Sequence, residues 1–190
     1  MSHLTLILGG ARSGKSRHAQ ELAARLSDGR SIVFVATAQA GDDEMETRIA
    51  RHQADRPAHW RTVEEPLDAA AVLRREANAP VILIDCLTFF VTNHLLRSGD
   101  AAHCDADVWD EAGVETAVSD LLRAAQEVPA RVLLVSNEVG LGMVPGTALG
   151  RVWRDVAGRA NQMAAAAADE VTLMVAGLPL RVKPPPQGAA

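Results

Sequence analysis

The chain contains only two cysteines in 190 residues, Cys86 and Cys104. They are widely separated and outside any Cys-x-x-Cys pairing, so a disulfide framework or a cysteine-based metal site is excluded and ordinary buried or loop thiols are expected. Positive charge is also scarce, because 19 Lys and Arg stand against 24 Asp and Glu, for a formal net charge of −5. A nucleic-acid or anionic-membrane surface needs a basic patch, so neither partner is expected. Long apolar runs are missing as well: no window approaches the roughly 18 consecutive apolar residues of a membrane span. The run Leu4 to Leu8 follows no basic segment, so neither a signal peptide nor a membrane span is expected, and a cytoplasmic location follows. The guanine-reading signature Asn-Lys-x-Asp is absent, which argues against a signalling GTPase. A DNA-working motor or recombinase would be larger and more basic.

What remains is ordinary for a soluble globular fold, with 48% apolar and 23% charged residues. One catalytic domain over residues 1–183 is expected, followed by a mobile tail, 184–190, beginning Pro184-Pro185-Pro186. The informative segment is near the start. Leu4-Thr5-Leu6-Ile7-Leu8 opens into Gly9-Gly10-Ala11-Arg12-Ser13-Gly14-Lys15-Ser16, which is Gly-x-x-x-x-Gly-Lys-Ser, the phosphate-cradling P-loop. Gly9 and Gly14 let the backbone bend until successive N–H groups converge on phosphate oxygens, Lys15 reaches the β/γ-phosphates, and the Ser16 hydroxyl can ligate Mg²⁺. A helix from Arg17 to Leu26 would add its positive N-terminus.

Further strands are expected at Ser31–Thr37, Trp60–Val63, Val81–Asp85, Arg131–Ser136 and Glu170–Gly177, with Leu180–Lys183 pairing back as a hairpin. Helices are expected from Asp43, from Pro66 to the Asn78-Ala79-Pro80 break, over Leu87–Leu96, Val108–Glu127 and Thr147–Ala168. Arg97–Asp107 reads as a polar loop. Strands alternating with helices predict an α/β, RecA-like P-loop NTPase fold, with a mainly parallel sheet covered by helices and an antiparallel C-terminal strand. Asp85 ends an apolar strand, where a P-loop protein places the carboxylate that holds Mg²⁺ beside Ser16; capping of the next helix is the alternative role. His52 stands among Arg48, Arg51 and Arg56. A neutral imidazole flanked by cations can attack an α-phosphate and form an N–P bond, while spacing alone also fits a helix-end histidine facing the dipole.

The ordered strings Gly9 to Arg17, Asp42-Asp43-Glu44-Met45, Arg48-Ile49 with His52, Trp60 to Glu64, Asp85-Cys86-Leu87-Thr88, Ser136 to Pro145 and Arg154 to Gln162 carry a resemblance. The chain resembles the bifunctional adenosylcobinamide kinase/adenosylcobinamide-phosphate guanylyltransferases of cobalamin biosynthesis, from Leu4 to about Lys183. That resemblance implies that His52 accepts GMP from GTP. It implies nucleotide contacts from Gly9 to Ser16, from Ala36, Thr37 and Ala38, and from Gln53, Ala54, Asp55 and Arg56. Glu64 and Asp85 would be the carboxylates near nucleotide and metal, with Lys15 catalytic and Mg²⁺ held by Ser16 and Asp85. The substrates implied are ATP, GTP, adenosylcobinamide and adenosylcobinamide phosphate, and the implied assembly is a homo-oligomer, a trimer. Two other readings of the residues stay open: a P-loop small-molecule kinase without guanylyl transfer, and a module that binds NTP without turning it over.

Overall fold

The computed structural model describes residues 3–39, 56–98 and 109–184. Within them, seven strands enter one sheet: β1 (His3–Gly9), β2 (Val33–Ala36), β3 (Arg61–Glu64), β4 (Val81–Asp85), β5 (Arg131–Asn137), β6 (Glu170–Val175) and β7 (Leu178–Lys183). Their order is β3-β2-β4-β5-β1-β6-β7. Every neighbouring pair is parallel except β6 with β7, which closes the sheet as an antiparallel hairpin.

The central strands are apolar at nearly every position because both faces of the sheet are covered. Leu4, Leu6, Val33, Val35, Ile82, Ile84, Val132 and Leu134 enter one buried cluster, while Ile7, Phe34, Val81, Leu83, Leu133 and Val135 enter the other. This is the two-residue period of a strand, read out on opposite faces. The second cluster is covered by α1 (Lys15–Ser27), which contributes Ala19 and Ala23. The first is covered by α2 (Ala69–Arg75), α3 (Leu87–Ser98), α4 (Glu111–Glu127) and α5 (Ala148–Ala167). On α5 the small residues Ala157, Ala160 and Ala164 are buried, so the alanine-rich stretch serves close packing.

Element ends depart from the sequence expectation where side chains bond the backbone. The second helix starts at Ala69 and not at Pro66, because the Glu65 carboxylate accepts from Leu67 N and Asp68 N, and Asp68 accepts from Ala71 N at 3.0 Å as the N-cap. The fourth begins at Glu111, because Asp110 caps it by accepting from Gly113 N at 2.8 Å. α1 starts two residues early, at Lys15, directly from the P-loop. The helix expected from Thr147 begins at Ala148, with Thr147 as its N-cap accepting from Gly150 N. The helix expected from Asp43 and most of the loop expected over Arg97–Asp107 lie outside the described residues. Among the described residues no helix is long and apolar enough to cross a membrane.

Register decides which residues share the carboxyl edge of the sheet. Ala36 on β2 lies level with Asp85 on β4 and with Glu64 on β3. Gly9 on β1 lies level with Asn137 on β5. Ligands of open α/β sheets bind beyond this edge.

Candidate active site

The P-loop is held in shape by its own backbone and by the last hairpin. Ser13 N donates to Gly10 O at 3.2 Å, and Gly177 N, in the β6–β7 turn, donates to Ser13 O at 3.0 Å. Gly14 has φ +90°, and a Cβ there would also lie 3.4 Å from the Gly177 Cα. At Gly9 a Cβ would sit 2.4 Å from Ser13 Oγ and 3.0 Å from Met174 O, so only glycine lets the strand pass into the loop. Gly14 is the N-cap of α1, no side chain caps that end, and its first turn carries no acidic residue. The helix therefore presents its unpaired N–H groups to an anion. Lys15 is 7% exposed, and its ammonium donates to Gly10 O at 3.2 Å. Ser13 Oγ is buried without a hydrogen-bond partner among the described residues, a donor in a loop shaped for phosphate oxygens.

Beside the loop, Asp85 is fixed through its neighbours. The Thr37 hydroxyl accepts from Cys86 N at 2.8 Å and donates to Cys86 O at 2.7 Å, and Thr37 N donates to Asp85 O at 3.2 Å. Asn93 on α3 completes the brace by donating to Thr37 O at 2.8 Å and to Pro66 O at 3.0 Å. Burial, and secondly the Asp85 charge, push the Cys86 thiol up to about 11, with Lys15 acting in the opposite direction. Arg56 lies with its guanidinium 3.6 Å from the centroid of the Phe34 ring and donates to Thr62 Oγ1 at 3.3 Å. Burial lowers its pKa, while the Asp85 and Glu64 charges act to raise it, so the half-buried cation on the π-face is also drawn by two carboxylates.

A second cluster joins the end of β5 to two helices. Ser136 Oγ donates to Asn161 Oδ1 at 2.6 Å, Asn161 Nδ2 donates to Asn137 O at 2.9 Å, and Asn137 N donates to Thr88 Oγ1 at 2.8 Å. Thr88 Oγ1 and Ser136 Oγ lie 3.2 Å apart, and Trp153 Nε1 reaches Thr92 Oγ1 at 2.8 Å. Sequence reasoning left these residues without a role. The available signal was Asn161, an amide on a stripe otherwise made of Val156, Ala157, Ala160 and Ala164, where burial demands partners.

Of the residues singled out in the sequence, Gly9 to Ser16, Ala36 to Ala38, Glu64 and Asp85 gather at the carboxyl edge, and Arg56 approaches them. Thr37 is fully buried with its hydroxyl committed to Cys86, leaving its main chain for other contacts. His52, Gln53, Ala54 and Asp55 lie outside the described residues, as does Cys104. Cys86 is buried, as expected of an ordinary thiol.

Residues 5–182 match the family described as cobinamide kinase / cobinamide phosphate guanyltransferase (CobU). The chain belongs to this family. It is accordingly a transferase. The chain is 46% identical over 186 residues to the bifunctional adenosylcobalamin biosynthesis protein CobU of Salmonella typhimurium, covering 95% of this chain and 99% of that protein. It is 50% identical over 182 residues to the bifunctional adenosylcobalamin biosynthesis protein CobP of Pseudomonas aeruginosa, with 95% and 98% covered. Among solved structures, the flagellar accessory protein FlaH of Methanocaldococcus jannaschii superposes with TM-score 0.54 at 14% identity, over 97% of this chain and 80% of that one. A KaiC-like protein of Pyrococcus horikoshii gives 0.51 at 14% identity, over 90% and 70%. These two likenesses concern the fold alone: the RecA-like P-loop fold expected from the sequence. Membership of a transferase family removes the reading of a non-catalytic NTP-binding module.

Proposed function

We propose that the chain phosphorylates the hydroxyl of adenosylcobinamide with ATP or GTP and then transfers GMP from GTP to the new phosphate, through a guanylyl-histidine at His52. The observation that carries the first half is the register that levels Ala36, Glu64 and Asp85 next to a braced P-loop. In the kinase step the acceptor hydroxyl oxygen attacks the γ-phosphorus, the bond to the β-phosphate bridging oxygen breaks, and NDP leaves. Backbone N–H groups of Gly9 to Ser16 and the Lys15 ammonium hold the phosphate charge, and the main chain of Ala36 to Ala38, with Glu64 and Arg56, holds the rest of the nucleotide. The Ser16 hydroxyl and Asp85 carboxylate are hard oxygen donors, the ligand type that suits Mg²⁺. When bound, Mg²⁺ supplies charge neutralisation on the transferred group.

In the second step a neutral His52 nitrogen attacks the α-phosphorus of GTP, pyrophosphate leaves, and the corrinoid phosphate then displaces the imidazole to give adenosylcobinamide-GDP. Gln53, Ala54 and Asp55 follow His52 directly in sequence, which supports their part in holding the nucleotide. The relatives named bifunctional support both halves. We further propose that the chain acts in the cytoplasm as one catalytic domain, 1–183, and assembles as a homotrimer; the tail expected over 184–190 lies, apart from Pro184, outside the described residues.

Incubation with α-³²P-GTP and Mg²⁺, followed by denaturation, tests the covalent step. Acid-labile, base-stable label is expected on wild type and none on His52→Ala, which should still convert adenosylcobinamide to its phosphate. Full labelling of His52→Ala would refute the assignment. Kinase activity with no label on wild type would leave the small-molecule kinase reading.

A further inference from the structure

The segment Asn137–Pro145 is rich in motif residues to which the sequence reading gives no role, and it exposes large apolar side chains. Leu141 is 90% exposed, Met143 94% and Val144 65%. Three large apolar side chains within four residues, all facing water, call for a ligand or a partner.

The loop is not loosely attached. At its root Val139 packs against the core cluster, as Leu149, Val152 and Trp153 do. Glu138 N donates to Gly9 O at 3.1 Å, so the segment leaves β5 in direct contact with the first residue of the P-loop. The Glu138 carboxylate accepts from Gly140 N at 2.7 Å. At the far end the Arg151 guanidinium donates to Pro145 O at 3.2 Å and to Gly146 O at 3.0 Å. The apolar residues are thus held out from a segment pinned at both ends, and that segment starts where the phosphates are bound.

We infer that Leu141, Met143 and Val144 form the platform on which the corrinoid substrate rests. The inference builds on the kinase reading above. Phosphoryl transfer needs the acceptor oxygen within about 3–3.5 Å of the γ-phosphorus, so the bulk of the acceptor must lie over the carboxyl edge of the sheet. A corrinoid is a broad macrocycle with an apolar ring face and an amide-bearing rim. An apolar platform beside the P-loop fits the face and leaves the rim in water. The other exposed apolar set, Val175, Leu178, Leu180 and Val182, has a different geometry. It starts at the β6–β7 turn and runs down the edge strand away from the nucleotide, as a contact between subunits would.

The test is the double variant Leu141→Ser/Met143→Ser, which changes two solvent-facing side chains, with Leu141→Met/Met143→Leu as the conservative control. The serine variant should raise the KM for adenosylcobinamide at least tenfold, the order expected when two apolar contacts are lost. The KM for ATP and the labelling by α-³²P-GTP should stay within about twofold of wild type, and the control should restore the corrinoid KM. An unchanged corrinoid KM overturns the inference. If sedimentation then shows that the serine variant has dissociated, the patch is a subunit contact instead. Wild type that fails to phosphorylate adenosylcobinamide would bring down the kinase reading itself, a result distinct from phosphorylation with an unmoved KM.

Discussion

Thr37→Val tests whether the clamp on Cys86 sets the position of Asp85. Valine nearly matches threonine in shape, so the change removes a hydroxyl from a fully buried site and leaves the packing in place. Two hydrogen bonds disappear. Cys86 O keeps its bond from Phe90 N at 3.2 Å, so loss of the Thr37 donor there should cost only about 0.5–1.5 kcal/mol. Cys86 N loses its 2.8 Å bond to Thr37 Oγ1, and a buried orphan donor costs about 1–3 kcal/mol. The sum, about 1.5–4.5 kcal/mol, corresponds to a fall in Tm of roughly 3–18 °C for a chain of this length. Thr37→Ser is the control, because it keeps both bonds and loses a buried methyl, at about 1 kcal/mol. Urea unfolding of the three proteins measures the difference, and a kinase assay below the lowered Tm should find a higher Mg²⁺ requirement in the valine variant. A Thr37→Val protein as stable as Thr37→Ser would refute the reasoning and make the Thr37 hydroxyl a passenger.

Lys15→Ala removes a nearly buried cation aimed at the loop, and kinase turnover should fall by about two orders of magnitude or more; turnover within about threefold of wild type would show that the loop is not catalytic. Asp85→Asn should lower activity and shift Mg²⁺ titrations to higher concentration, with Asp85→Glu tolerated better, and an unmoved titration would point to the helix-capping role. The Cys86 thiol, raised to about 11 in the fold, stabilises the folded chain fully below the unfolded thiol's range near 9 and loses that contribution as pH rises through 11. Urea unfolding of wild type should therefore weaken by up to about 1.4 kcal/mol per pH unit across that window relative to Cys86→Ala, and parallel pH profiles would contradict it.

The fold was legible because its strands are unbroken apolar runs, such as Val81-Ile82-Leu83-Ile84, which only a sheet covered on both faces can bury. The P-loop was legible because its chemistry is local: Gly9, Gly14, Lys15 and Ser16 act within eight consecutive residues. The neighbours of Asp85 were not. Asn93 bracing Thr37 across 56 positions, or Thr88 meeting Asn137 across 49, depends on register and helix packing that no spacing rule encodes. Helix starts at Ala69 and Glu111 were missed for a smaller reason. A cap such as Asp68 or Asp110 outweighs the preference of Pro66 for a first turn, and both are short polar residues that look like loop until their acceptor geometry is seen.

The two ends of the site are braced by different means, and that division has a consequence. On the Asp85 side the main-chain bond from Thr37 N is backed by side chain to main chain bonds through Thr37 and Asn93, which single substitutions can remove. On the P-loop side the brace is main chain to main chain, from Gly177 to Ser13, and it comes from a hairpin whose outer strand exposes Leu178, Leu180 and Val182. A contact made on that strand is one hydrogen bond away from the phosphate loop. Were the proposed homotrimer to assemble through β7, assembly and nucleotide affinity would be linked, because whatever fixes the hairpin also fixes the loop that it holds.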